Sequence, residues 1–264
     1  KNFEVLKNSA IPKPRQIFSS SGNSSVQLRR LGELMWIYVE TLPSTSWPIS
    51  KSYWETSDYE IITTNPVTGE IDINLDSSSK LKMTIEHGIK EASTEIFLLQ
   101  LDKETNNIVS NPELIQSELS SLVNYFAETV GQFSGTSLAA QNLNDLKKAK
   151  IFVENGRTVI ELGLSYERAW SSVSKAIEAA NIVTNDKNRS EGIFYVSQAV
   201  EEKDGFFSFF SRRSNNNDKT NFKDSDFQVK ITKKNNKTYV RAYSKDGKIE
   251  DAESIISQIN ESLS

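Results

Sequence analysis

Read for the spacing of its apolar residues, the chain falls into two similar halves behind an irregular start. Residues 1–25 carry Pro12, Pro14 and six serines without a sustained period of two or 3.6, the pattern of an extended arm. Phe3, Val5, Leu6, Ile11, Ile17 and Phe18 are scattered through it, and apolar residues in such an arm need somewhere to dock. From Val26 the pattern sharpens. Leu34-Met35-Trp36-Ile37-Tyr38-Val39 is a β-rich run, and Pro48 fits the first turn of a short helix with Ser44 to Ser46 as cap candidates. Strands follow at Tyr59–Thr63, Ile71–Leu75, Leu81–Ile85 and Ile96–Leu101, with the turn Asn65-Pro66-Val67-Thr68-Gly69 between the first two. Asn111-Pro112 then caps a helix striped by Ile115, Leu119, Leu122, Phe126 and Val130. The order is β-α-β-β-β-β-α.

The second half predicts that order again. Strand residues on either side of Asn155-Gly156 form a hairpin, and Ser165 caps a helix with Tyr166, Trp170, Val173, Ile177 and Ala180 at helical spacing. Strands at Ile182–Thr184, Ile193–Val196, Phe227–Ile231 and Thr238–Tyr243 lead to a last helix striped by Ala252, Ile255, Ile256, Ile259 and Leu263. Trp47 and Trp170 lie 123 positions apart, as do Gly69 and Gly192, while Gly32 and Gly156 are 124 apart. Those anchors predict an internal duplication: an arm at 1–25, a first domain at 26–131, a helical linker at 132–149 and a second domain at 150–264. An insert at 199–225 interrupts the second domain. Its Phe206, Phe207, Phe209 and Phe210 either fold back onto that domain or meet a partner or membrane surface.

Composition narrows the chemistry. A length of 264 residues suits two modest cores, and 31 Lys+Arg against 35 Asp+Glu leave a net charge of −4, a poor field for holding a phosphate backbone, so no nucleic acid is expected. With no cysteine and a single histidine, His87, thiolate chemistry, Cys-based zinc sites and paired-histidine metal sites are excluded. No nucleophile elbow, dinucleotide fingerprint or phosphate loop is present, and the acidic residues read as solvated surface, so neither enzyme nor cofactor is expected. His87 ends an alternating strand and reads as a partly exposed structural imidazole. Trp47 and Trp170 read as core. Lys230, Lys233, Lys234, Lys237 and Arg241 crowd the hairpin at Asn235-Asn236, a basic tip that serves solubility or meets an anionic partner.

Trp47-Pro48, Tyr59-Glu60-Ile61-Ile62-Thr63 and the turn to Gly69 resemble the first globular domain of the BamC family, the NlpB-type lipoproteins of the outer-membrane β-barrel assembly machinery. Ala169-Trp170, Val183-Thr184-Asn185 and Arg189-Ser190-Glu191-Gly192 resemble its second domain, and Ile11-Pro12-Lys13-Pro14 sits where the family has an extended arm. The resemblance implies an α+β fold of two tandem helix-grip-like domains with antiparallel sheets. It implies a non-catalytic accessory subunit whose arm, through Phe3, Val5, Leu6, Ile11, Pro12, Pro14, Ile17 and Phe18, binds a BamD-like lipoprotein and through it the assembly complex. It also implies an outer-membrane location, through a lipidated cysteine ahead of Lys1, with the domains facing the periplasm or the cell surface. The rival reading is a periplasmic helix-grip module whose groove holds a small apolar or peptidic ligand. A groove plugged by Trp170 and Val173 would favour the scaffold, an open one the ligand.

Overall fold

The computed structural model describes residues 15–19 as backbone and residues 25–198 and 222–264 in full. The chain divides into two compact units, Lys1–Lys147 and Lys148–Ser264. Unit one runs β1 (Arg15–Ser19), β2 (Val26–Leu31), β3 (Leu34–Val39), α1 (Pro43–Thr56), β4 (Glu60–Asn65), β5 (Glu70–Asn74), β6 (Ser79–His87), β7 (Thr94–Asp102), α2 (Pro112–Thr129) and a 3-10 helix, Leu138–Asp145. Its antiparallel sheet has the order β1-β2-β3-β7-β6-β5-β4. Unit two runs β8 (Ala149–Glu154), β9 (Arg157–Leu162), α3 (Tyr166–Ala179), β10 (Ile182–Asn188), β11 (Ile193–Gln198), β12 (Phe227–Lys234), β13 (Lys237–Ser244) and α4 (Ile249–Ser262), with sheet order β10-β11-β12-β13-β9-β8.

With β1 set aside, the two sheets have the same strand order. Detail agrees as well as topology. Gly69 and Gly192 both have φ above +70°, and the carbonyl of each accepts an N–H from a neighbouring strand, that of Ile85 and of Ile231 respectively, at 2.7 Å. β4 bulges between Ile61 and Thr63, and β10 bulges between Thr184 and Asp186, at the matching place. Thr94 Oγ donates to the Thr41 carbonyl ahead of α1, and Thr238 Oγ to the Leu164 carbonyl ahead of α3. Trp47 and Trp170 sit on those helices, each 4% exposed.

Three expectations need correction. Unit one opens with a hairpin rather than a single strand, matching the Asn155-Gly156 hairpin expected and found in unit two, so both run β-β-α-β-β-β-β-α; β2 escapes a sequence reading because Arg29 and Arg30 interrupt its apolar pattern. The pair Gly32 and Gly156 is not equivalent, since the closing pairs Leu31–Leu34 and Glu154–Arg157 align Gly32 with Asn155. The helix α1 starts a turn earlier than Pro48 suggests: Pro43 stands in its first turn, Leu42 precedes it without a side-chain cap, and Pro48 lies inside.

The internal proline accounts for the path of the chain after α2. Pro48 has no N–H to give the Ser44 carbonyl, an omission that ordinarily destabilises a helix. The Ser137 N–H donates to that carbonyl instead, at 2.8 Å, and Asn144 brackets the same residue, accepting from the Ser44 N–H and donating to its hydroxyl, both at 3.0 Å. The 3-10 helix is thereby laid on α1, with Ala140 and Leu143 buried in the core of unit one. The segment expected as a helical linker at 132–149 is therefore largely part of the first unit.

The cores form by local rules. β6 alternates buried and half-exposed residues along its whole length, sending Leu81, Met83 and Ile85 inward. Asn111 caps α2 by accepting from the Leu114 N–H, and Leu119, Leu122, Val123 and Phe126 form its buried stripe. Ser165 caps α3 in the same way through Arg168.

Candidate functional site

The residues that sequence reasoning assigns to partner binding divide between described and undescribed parts of the chain. Phe3, Val5, Leu6, Ile11, Pro12 and Pro14 of the arm, and Phe206, Phe207, Phe209 and Phe210 of the insert, lie outside the described residues. Ile17 and Phe18 lie in β1, whose backbone pairs with β2 so that Phe18 stands opposite Leu28. Part of the expected arm is thus an edge strand of unit one.

Beside that strand, on the face of the sheet opposite the helices, unit one carries an aromatic and charged layer that the sequence reading did not single out. The Arg29 guanidinium lies 3.7 Å from the Tyr38 ring centre, and Trp36 stacks with Phe97 at 6.3 Å. Arg29, Trp36, Tyr38 and Glu95 are all buried. Burial pushes the Tyr38 phenol up to about 12. A signal was present: Leu34–Val39 is apolar at both parities, and a strand wetted on one face would alternate.

The grooves between helix and sheet are filled. In unit two Trp170 stacks on Phe194 at 4.0 Å and Val173 is fully buried. In unit one Trp54 is fully buried, and its indole N–H donates to Met83 Sδ at 3.3 Å. A cleft at the start of α2, lined by Met35, Leu98, Ile108, Val109, Pro112 and Ile115 among others, holds about 170 Å³. That is less than the roughly 300–1,000 Å³ typical of small-molecule pockets.

On the outer face of unit two, two of the five basic residues around Asn235-Asn236 are neutralised by acids of neighbouring strands. Lys237 Nζ is 2.6 Å from Glu161, and Arg241 is 2.6 Å from Glu154. Glu154, Glu161 and Arg241, with Phe152, Tyr239, Lys233 and Lys234, border a shallow cleft of about 380 Å³. The hydrogen bond from Lys237 holds the Glu161 carboxyl below its usual range and raises the lysine. Lys223 does the same to Asp186. Tyr59 is pushed up to about 12 by burial and by its 2.8 Å hydrogen bond to Glu118. Each of these shifts makes the ordinary charge state at neutral pH firmer, the reverse of what a proton-transfer group needs.

His87 is buried rather than partly exposed as expected. Its Nδ1 lies 2.8 Å from the Gly88 carbonyl, so that nitrogen carries the proton, and Nε2 points into protein. Among the described residues no cluster of three or more His, Cys, Asp or Glu is placed to hold a metal ion. None of the described helices is long and apolar enough to cross a membrane.

Comparison with known proteins bears on the same two units. The family model for the outer membrane protein assembly factor BamC-like C-terminal domain matches residues 149–264, which is unit two almost end to end. The outer membrane protein assembly factor BamC of Thiobacillus denitrificans is 23% identical over 208 residues, covering 64% of this chain and 55% of that protein. The chain thus spans about half the length of the curated relative it matches.

Proposed function

From the premise that this chain is BamC-like, we propose that it is a non-catalytic accessory subunit in the assembly of outer-membrane proteins, acting by holding partners. The family match over residues 149–264 carries this reading. The shared strand order of the two units supports an internal duplication into two helix-grip domains, each a sheet closed on its helices. In this reading the segment ahead of β2 is the partner-binding arm for a BamD-like lipoprotein, with Phe3, Val5, Leu6, Ile11, Pro12 and Pro14 as its apolar contacts and Ile17 and Phe18 where it joins the sheet as β1. Proline-bearing extended segments lose less entropy on docking, which favours them in this role. A lipid anchor at the outer membrane belongs to the same proposal, as does a second contact through Phe206, Phe207, Phe209 and Phe210. The ligand-module reading has less support, because Trp170 and Val173 fill the groove it needs.

The test is calorimetry of the full chain, and of a chain lacking residues 1–14, against the BamD-like lipoprotein of the same organism. Truncation should leave both units folded and weaken binding at least tenfold. Equal affinities would move the partner site onto the folded units.

A further inference from the structure

The two units share one strand order but differ at one sheet edge. In unit one the outer strand of the opening hairpin, β2, is paired along its free side by β1, and α2 packs across β2, β3 and β7. In unit two the matching strand is β8, which among the described residues pairs only with β9, while α4 packs on β13 and β9. The consequence shows at equivalent positions: Leu28 of β2 is fully buried, and Ile151 of β8 is 54% exposed. Phe152 and Val153 beside it are 38% and 70% exposed.

Exposed strand edges are ordinarily blunted by bulges, charges or proline. Among the described residues the other outer strands obey that rule: β1, β4 and β10 each carry a bulge, and β4 and β10 have a polar second half. β8 has neither bulge nor proline, and its two charges, Lys150 and Glu154, flank an uninterrupted Ile-Phe-Val middle. Its register with β9 is unbroken from Ala149–Leu162 to Glu154–Arg157.

We propose that β8 pairs with β8 of a second copy of this chain, antiparallel across a two-fold axis at Phe152, joining two six-stranded sheets into one. The sequence of the strand is complementary to itself in that register. Lys150 of each copy faces Glu154 of the other, Ile151 faces Val153, and Phe152 faces its own counterpart. Ile151 and Val153 of both copies then form one apolar strip on the helix side, where α4 leaves them bare, and the two Phe152 rings meet on the opposite side. There each ring already contacts Tyr239, with centroids 6.5 Å apart. A one-residue slip would break every one of these pairs, so the register is specified.

The experiment uses the full chain. Sedimentation equilibrium should show a monomer–dimer equilibrium up to about 100 µM, a range that reports dissociation constants weaker than nanomolar. Val153→Asp, at a largely exposed position, should weaken dimerisation at least tenfold without altering the thermal unfolding of unit two. Because these 264 residues include no cysteine, register can be read by cross-linking through single introduced cysteines. Phe152→Cys should form an interchain disulfide on mild oxidation, since opposed Cα atoms in an antiparallel pair lie about 4.5 or 5.5 Å apart, within disulfide reach. Val153→Cys should not, its counterpart being a diagonal neighbour about 7–8 Å away. A chain that stays monomeric throughout, as it would if β8 served a different protein's strand, overturns the proposal. So does a dimer indifferent to Val153→Asp, or one cross-linked through Val153→Cys and not Phe152→Cys.

Discussion

Replacing a glycine by alanine at two turns of unit two separates backbone strain from steric conflict within a single folding unit. Gly156 and Gly192 have nearly the same backbone conformation, with φ of +74° and +72°, so each alanine bears the left-handed penalty of roughly 1–2 kcal/mol. Their surroundings differ. A Cβ at Gly156 meets nothing within 4 Å, whereas one at Gly192 falls 2.2 Å from the Ile231 carbonyl oxygen and 3.2 Å from the Tyr166 hydroxyl. The carbonyl is backbone of a central strand, so relief requires β11 to move away from β12 and breaks the 2.7 Å bond from the Ile231 N–H to the Gly192 carbonyl. Leaving those buried groups unsatisfied adds about 1–3 kcal/mol. Gly156→Ala should therefore cost about 1–2 kcal/mol and Gly192→Ala about 2–5 kcal/mol, read as midpoint shifts of the same transition in urea at constant m-value. Equal losses at the two sites would refute the steric argument and with it the close strand approach that Gly69 and Gly192 share.

Trp170→Ala should destabilise unit two by about 3–5 kcal/mol by opening a cavity against Phe194, with the unfolding of unit one unchanged when the two are tracked by hydrogen exchange. Leu143→Ala should do the converse, lowering the stability of unit one by about 2–3 kcal/mol and sparing unit two, because the 3-10 helix belongs to the first core. A true linker there would give no change in either. Glu161 and Asp186 have folded-state pKa values below their ordinary ones, so their contribution is complete above the usual carboxylate range and is lost as pH falls through the folded values. The midpoint of unit two should accordingly drop on the acid side, and Glu161→Gln should shallow that slope in thermal scans between about pH 7 and pH 3. A Glu161→Gln slope identical to that of the unaltered chain would remove the Lys237 pair as its source.

What could be read from sequence was what neighbours in sequence decide. Asn155-Gly156 and Asn235-Asn236 turn hairpins because both residues of each pair adopt positive φ, a local property of glycine and asparagine. Asn111 and Ser165 cap their helices through an N–H three residues on, and β6 buries alternate residues because its pleat does. The 123-residue offset was legible for the same reason: it repeats local signals at Trp47 and Trp170, and at Gly69 and Gly192. The binding reading rests on less, since most of its named residues lie outside the described part, and the family likeness came from the order of packing and turn residues.

Tertiary structure decided the rest, wherever the partner of a group lies far along the chain. Pro48 looks like a helix start until the Ser137 N–H is found on the Ser44 carbonyl, a bond between residues of two different segments that no local pattern encodes. β2 looks too charged for a strand until Arg29 is seen lying over Tyr38. The difference between Leu28 and Ile151 is of the same kind. Both are aliphatic residues in the outer strand of a hairpin, and which one is buried depends on where a helix and an extra strand come to rest, so exposure belongs to the assembled sheet and not to the strand's own sequence.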